Sequence, residues 1–184
     1  MLETILCRSH LLKRKNLRKI KENLSFSLQK KGDASMKPYL HPDIQKALLL
    51  AEAYYDAPTL AHAKRVAFYL QDAPFLPEEY RIPCICLGLM HDLLEDTAYT
   101  NTPPFLPTCP ALSSETFQQA LSLLTRPKEM PYLTYIQRFK AKADSPSLCA
   151  WWVKLADMKD HLAQKETLTE RLKEKYLEAL PYLL

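Results

Sequence analysis

The sequence predicts an all-α protein, and three observations carry the prediction. Glycine occurs only at Gly32 and Gly88 in 184 residues, too few for the tight turns of a hairpin-rich sheet. Leu, Ala, Lys and Glu are abundant and runs of β-branched residues are few, which is the composition of helices more than of strands. From His41 onward apolar residues recur every three to four positions, the period of one helix face.

Ile44, Ala47, Leu48 and Ala51 mark a first helix. Ala61, Val66, Ala67 and Leu70 mark a second, opened by Pro58-Thr59, because proline is preset for an opening turn. A third begins after Pro77-Glu78-Glu79 and runs through Cys84, Leu87 and Leu89 to Leu93. It is the most apolar segment, and a helix apolar on every side belongs at the centre.

Residues 99–112 carry Pro103, Pro104, Pro107 and Pro110. Proline at that density predicts an irregular connection, of a length at which loops are often functional. Ser113-Ser114-Glu115 reads as an N-cap opening a helix through Leu124. Further helices are expected over 131 to about 143, over 146 to about 163, and over 168–180 with a leucine stripe. Tyr132 and Tyr135 share a face, and with Trp151 and Trp152 they are expected in the core. The prediction is one helical bundle of about six to seven helices over residues 37–184, after a basic extension over 1–36 expected to be poorly ordered.

The charge of +4 is uneven. Nine Lys/Arg against Glu3, Glu22 and Asp33 make residues 1–35 +6, leaving the rest of the chain at −2. Three readings of the extension stand: a basic arm for nucleic acid or an anionic surface, a weak amphipathic targeting peptide, or sequence upstream of a start at Met36. The folded part lacks the interleaved aromatic and basic residues of a nucleic-acid surface, so no nucleic-acid partner is expected there.

Two glycines exclude a Walker loop, a dinucleotide fingerprint and a kinase glycine loop, all of which need several close together. The longest apolar stretch, Ile82 to Leu94, is short of a membrane span and contains His91 and Asp92. Five cysteines without C-x-x-C spacing indicate neither a disulfide framework nor a zinc knuckle, and a reducing cytoplasm is expected.

The strongest local signal is His91-Asp92-Leu93-Leu94-Glu95-Asp96-Thr97. An imidazole and a carboxylate side by side at the end of the most apolar helix are expensive to bury without a positive partner, which a divalent metal supplies. On a continuous helix Glu95 falls one turn after His91 on the same face, beside the ion, with Asp96 flanking it. His62 lies inward by pattern, and Asp157 ends the apolar run Trp151-Trp152-Val153-Lys154-Leu155-Ala156. His62, His91, Asp92 and Asp157 form a mixed nitrogen and oxygen set suited to Mn, Fe, Zn or Mg. Singly, each also fits a blander role: a hydrogen-bonded core histidine, a helix cap, a solvated acidic helix end.

A lone His, then His-Asp, then a distant Asp in an all-helical chain resembles the HD-domain superfamily of metal-dependent phosphohydrolases. His91 to Thr97 and Val153-Lys154-Leu155-Ala156-Asp157 are similar to the alarmone hydrolase branch, the RelA/SpoT-type enzymes that remove the 3′-pyrophosphate of (p)ppGpp. Leu124-Thr125-Arg126, Tyr132, Tyr135-Ile136 and Tyr176-Leu177-Glu178-Ala179-Leu180 resemble its small stand-alone bacterial members, over about residues 40–184. The resemblance implies His62, His91, Asp92 and Asp157 as ligands of one divalent ion, usually Mn²⁺, and Glu95 with Asp96 as the pair activating water. It implies a nucleotide substrate and a part in the stringent response.

Arg65, Arg126, Lys154 and His161 are candidate substrate contacts, with Lys64 a further cation near the first ligand. Two departures stand out: His161 replaces the usual Asn four residues after the last ligand, and the segment before His62 is the short Ala53-Tyr54-Tyr55-Asp56-Ala57-Pro58-Thr59. Two alternatives therefore accompany the (p)ppGpp reading. One is an HD phosphohydrolase of another nucleotide, such as a deoxynucleoside monophosphate; the other is a catalytically silent nucleotide- or partner-binding module.

Overall fold

The structure, a computed structural model, describes residues 41–99, 110–140 and 144–184. The basic extension and residues 100–109 of the proline-rich connection lie outside them. The described residues contain nine α-helices, one 3₁₀ turn and no strand. In order these are α1 (Pro42–Tyr54), α2 (Ala57–Gln71), α3 (Glu78–Met90), α4 (Leu93–Asp96), α5 (Pro110–Ser113), α6 (Glu115–Leu124), α7 (Tyr132–Gln137), the 3₁₀ turn Arg138–Lys140, α8 (Ser145–Ala163) and α9 (Glu170–Leu183). Seven have six residues or more, and α4 and α5 are single turns.

Caps written into the sequence set most helix starts. Asp56 Oδ1 accepts from Thr59 N at 2.9 Å, Ser114 Oγ from Phe117 N at 3.3 Å, Asp144 Oδ1 from Ser147 N at 2.9 Å and Thr169 Oγ1 from Leu172 N at 3.3 Å. Each satisfies an amide that has no partner within the helix. Arg81 closes the turn between α2 and α3, donating to the carbonyls of Gln71 at 2.9 Å, Ala73 at 3.2 Å and Leu76 at 3.0 Å.

Helix α3 is the hub. Every residue from Cys84 to Met90 is buried, and the helix packs against α1, α2, α6 and α8. Gly88 sets how closely α2 approaches: a Cβ there would stand 2.7 Å from Leu70 Cδ1 and 3.4 Å from the Ala67 backbone. Its absence brings His62 on α2 within reach of His91 at the end of α3. Helix α8 lies against both and carries Asp157 from the third side.

The structure departs from the periodicity in five places. Helix α2 starts at Ala57, capped by Asp56, and Ala61 is exposed while Ala63 takes the inward position. The third helix does not run to Leu93 but ends at Met90. Residues 110–113 form a helical turn inside the expected irregular stretch, with Pro110 at its first position, where proline is tolerated. The helix expected over 131–143 is Tyr132–Gln137 tightened into the 3₁₀ turn, and 141–143 lie outside the described residues. Trp151, Trp152 and Tyr132 are half-buried instead of core, and indole Nε1 of Trp151 donates to the Leu183 carbonyl at 2.6 Å. No helix among the described residues is long and apolar enough to cross a membrane.

Candidate metal centre

The centre is built on the break between α3 and α4. In a continuing helix the Asp92 amide would bond the Gly88 carbonyl. Here the Asp92 N–H donates to Tyr55 Oη at 3.1 Å, and the Gly88 carbonyl accepts from His91 Nδ1 at 2.9 Å. Two side chains take over both halves of one helical hydrogen bond. The chain turns at Asp92 (φ −98°, ψ 1°), and its carboxylate, making no capping bond to α4, swings to 3.1 Å from His91 Nε2. The adjacent His and Asp converge through this turn and not across one helix face. The same turn puts Glu95 and Asp96 in the first turn of α4, at exposed positions.

Five donor atoms gather. His62 Nε2 is 3.2 Å from His91 Nε2, 3.2 Å from Asp157 Oδ1 and 3.9 Å from Asp92 Oδ2. His91 Nε2 is 3.9 Å from Asp157 Oδ1, and His161 Nε2 is 3.1 Å from the same oxygen. His62, His91 and Asp92 form one set whose donors lie within 4.8 Å of one another, and His62, Asp157 and His161 form a second.

The imidazole tautomers are set from outside the cluster. His62 Nδ1 faces Asp160 Oδ2 at 2.8 Å and His91 Nδ1 faces the Gly88 carbonyl, both acceptors, so each ring carries its hydrogen on Nδ1. In the neutral tautomers both Nε2 lone pairs then point into the cluster. Asp157 Oδ1 is buried with no aligned hydrogen bond, although imidazole nitrogens stand 3.1 and 3.2 Å away. Short distances without alignment fit donors arranged around a cation, and imidazole with carboxylate suits a divalent transition metal.

The surroundings are ordered to match. Asp160, fully buried, holds His62 Nδ1 and takes the Arg65 guanidinium through Nε at 2.9 Å and Nη2 at 2.9 Å, an arrangement that fixes a ligand's tautomer and orientation. Burial pushes the Asp160 carboxyl up, but the His62 and Arg65 bonds outweigh it and hold it at about 2. Asp157 Oδ2 accepts from Lys154 Nζ at 2.6 Å. Burial opposes both charges, yet their attraction wins: Asp157 sits well below the usual carboxylate range and Lys154 well above the usual ammonium one. Burial likewise lowers His62, and the neighbouring Asp157 and Asp160 carboxylates with the Asp92 charge override it, holding the imidazole at about 9. His91 is raised too, against burial, by the charge and hydrogen bond of Asp92. Asp96 is raised by burial and by the charges of Asp92 and Glu95.

Of the candidate substrate contacts, Arg65 and Lys154 turn inward to support Asp160 and Asp157. Lys64 pairs with Glu52 at 3.0 Å. Arg126 donates its backbone N–H to Glu95 Oε2 at 3.1 Å and its Nη1 to the Met130 carbonyl at 2.9 Å. His161 stacks on Tyr176, with ring centroids 5.0 Å apart and planes at 13°. Sequence reasoning gives no role to Tyr55, Asp160, Lys175 or Tyr176. Asp160 has one local signal, an acid three residues beyond Asp157 on the same helix, and Tyr176 opens a run that carries the resemblance; Tyr55 and Lys175 have none. Lys175 Nζ lies 4.0 Å over the Tyr132 ring, and burial with the nearby Lys154 and Arg126 charges lowers its pKa.

Comparison of the chain with protein-family models, curated proteins and solved structures finds no match in any of the three. The functional reading therefore rests on the chemistry of the cluster. That chemistry is a His/Asp set able to hold a divalent cation in an all-α fold, consistent in general terms with a metal-dependent hydrolase.

A pH dependence follows. His62 goes from its ordinary 6.5 to about 9 in the metal-free fold, so its contribution to stability is complete below pH 6.5 and is lost as the pH rises through 9. A cation takes the place of that proton, so metal affinity should rise about tenfold per pH unit across the same interval. Calorimetric titration in buffers of different ionisation enthalpy should show protons released at pH 7. A metal affinity independent of pH would contradict this account.

Proposed function

We propose that the chain is a divalent-metal-dependent phosphohydrolase of the HD type acting on a nucleotide, with the 3′-pyrophosphate of (p)ppGpp as the leading substrate and Mn²⁺ as the leading ion. The observation that carries the proposal is the buried Asp157 Oδ1, without an aligned hydrogen bond and faced by the Nε2 atoms of His62 and His161. The order His62, His91-Asp92, Asp157 is the one on which the HD resemblance rests, and the distances among these side chains support it.

In this reading His62, His91, Asp92 and Asp157 hold the ion. A bound divalent cation polarises a phosphoryl oxygen and makes water acidic enough to attack near neutral pH. Glu95, held through Oε2 by the Arg126 amide, takes the proton from the attacking water through its carboxylate. Asp96 orients that water beside it. Water adds to phosphorus, the 3′ O–P bond breaks, the ribose 3′-oxygen takes up a proton, and pyrophosphate leaves. Asp160 and Arg65 keep His62 in the productive tautomer, and Lys154 balances the second Asp157 oxygen. Arg126 and Lys175 are the cations for phosphate charge. The cellular setting is the cytoplasm, in the stringent response, and residues 1–36 are an extension outside this chemistry.

The test is a turnover screen of purified protein with Mn²⁺, Mg²⁺, Co²⁺ or Zn²⁺ against ppGpp, other nucleotides and a generic phosphoester, with Asp92→Ala as control. We expect metal-dependent release of pyrophosphate from ppGpp, lost in the control. Turnover unaffected by Asp92→Ala would sink the assignment, and bound metal without turnover on any substrate would favour a binding module. One observation favours a different nucleotide as the runner-up: His161, in the place of the branch's Asn, is engaged with Asp157 and Tyr176 and not presented as an amide to a nucleotide. Activity confined to a deoxynucleoside monophosphate would establish that alternative.

A further inference from the structure

We propose that His161 is a fifth donor to the same cation, so that the centre comprises three imidazoles and two carboxylates and gives late first-row ions a larger advantage over Mn²⁺ than the four-ligand set would. The inference rests on the metal-centre reading above and adds a ligand to it. His161 lies one helical turn beyond Asp157 on α8, the i, i+4 spacing that places two donors on one face. Its Nε2 is 3.1 Å from Asp157 Oδ1. Neighbouring donors around an octahedral ion with bonds near 2.1 Å stand about 3 Å apart, so the separation suits two ligands of one ion.

Three further features converge. First, His161 Nε2, His62 Nε2 and Asp157 Oδ1 are a mutually close set, and His62 also belongs to the set with His91 and Asp92. His62 Nε2 has one lone pair to give, and without it the second set keeps only Asp157 and His161. The five donors do not all lie within 4.8 Å of one another, so one ion shared by both sets requires Asp157 and His161 to close toward His91 and Asp92 on binding. Second, the His161 ring is braced: it stacks on Tyr176 and lies 4.7 Å, centroid to centroid, from the His62 ring. Third, His161 Nε2 stands 3.1 Å from Asp157 Oδ1 without the alignment of a hydrogen bond.

The consequence is selectivity. Carboxylate oxygens suit Mg²⁺ and Mn²⁺, whereas each added imidazole shifts preference toward Fe²⁺, Co²⁺, Ni²⁺ and Zn²⁺.

Full-length protein is titrated with Co²⁺ alone, following the visible absorption bands and the affinity, for wild type, His161→Asn, His161→Ala and Asp92→Ala, with circular dichroism and Tm of the metal-free forms as the folding check. Both His161 variants should bind Co²⁺ at least about tenfold more weakly, with shifted bands, and the loss should be smaller for Mn²⁺. Free imidazole should restore the wild-type bands to His161→Ala, an effect that a merely structural role would not produce. Wild-type bands and affinity in a folded His161→Asn protein would overturn the inference and leave the four-ligand centre standing. Co²⁺ binding by wild type no tighter than by Asp92→Ala would overturn the metal centre itself, and this inference with it.

Discussion

Replacing Asp157 with alanine is expected to abolish divalent-ion binding and, separately, to destabilise the metal-free fold by about 3–5 kcal/mol. The first effect follows from position, since Oδ1 is the point on which the Nε2 atoms of three histidines close, at 3.1, 3.2 and 3.9 Å. The second comes from the other oxygen. Lys154, with 14% of its side chain exposed, bonds Oδ2 at 2.6 Å, with the Tyr132 and Tyr135 rings 5.9 and 5.4 Å from its ammonium. Those rings offer a cation only a weak attraction compared with a carboxylate. Removing Asp157 strands a largely covered positive charge, and a Tm fall of roughly 10 °C or more is expected for a domain of this size. The double variant Lys154→Met/Asp157→Ala separates the two effects: replacing a buried pair by apolar groups is often near neutral, so stability should largely return while metal binding does not. An Asp157→Ala protein with wild-type Tm would show that the pair is more solvated than its burial indicates. Undiminished metal affinity would remove Asp157 from the centre.

The helices were legible because their signals are local. Apolar spacing and proline starts bracket α1 and α2, Ser114 announces α6, and the buried run of α3 follows from its composition alone. The break after Met90 was not, because its cause lies 37 residues away in the hydroxyl of Tyr55, which takes the Asp92 amide. No periodicity reports a hydrogen bond made by another helix. Asp160 was obscured for the same reason: in sequence it is one more charge on an amphipathic helix, and its meaning depends on His62 and Arg65, more than ninety residues away. Arg65 and Lys154 are expected from the sequence as cations for phosphate, and packing sets each of them against a carboxylate, Asp160 and Asp157. His91-Asp92 and Asp157 stand out in the sequence because each is a charge ending an apolar run, whereas His62 has only its inward position in the helical pattern.

Glu95→Gln is expected to lower turnover by about 100- to 10,000-fold, the usual contribution of a general base, while leaving metal affinity unchanged. Glu95 belongs to neither close donor set, so the ion does not depend on it. Glutamine is the informative replacement because its amide oxygen still accepts the Arg126 N–H, which bonds Oε2 at 3.1 Å, and α4 stays tethered to the chain beyond α6. What it loses is the ability to take a proton. The variant also reports on its neighbour: the Asp96 carboxyl is raised by burial and by the charges of Asp92 and Glu95, so neutralising Glu95 should bring it down toward its ordinary value, a change readable by carboxyl NMR. Loss of turnover with full metal binding and a lowered Asp96 pKa would place proton transfer at Glu95. Retained turnover would move that role to Asp96, the next carboxylate along the same turn, and Asp96→Asn would then be the variant that silences the enzyme.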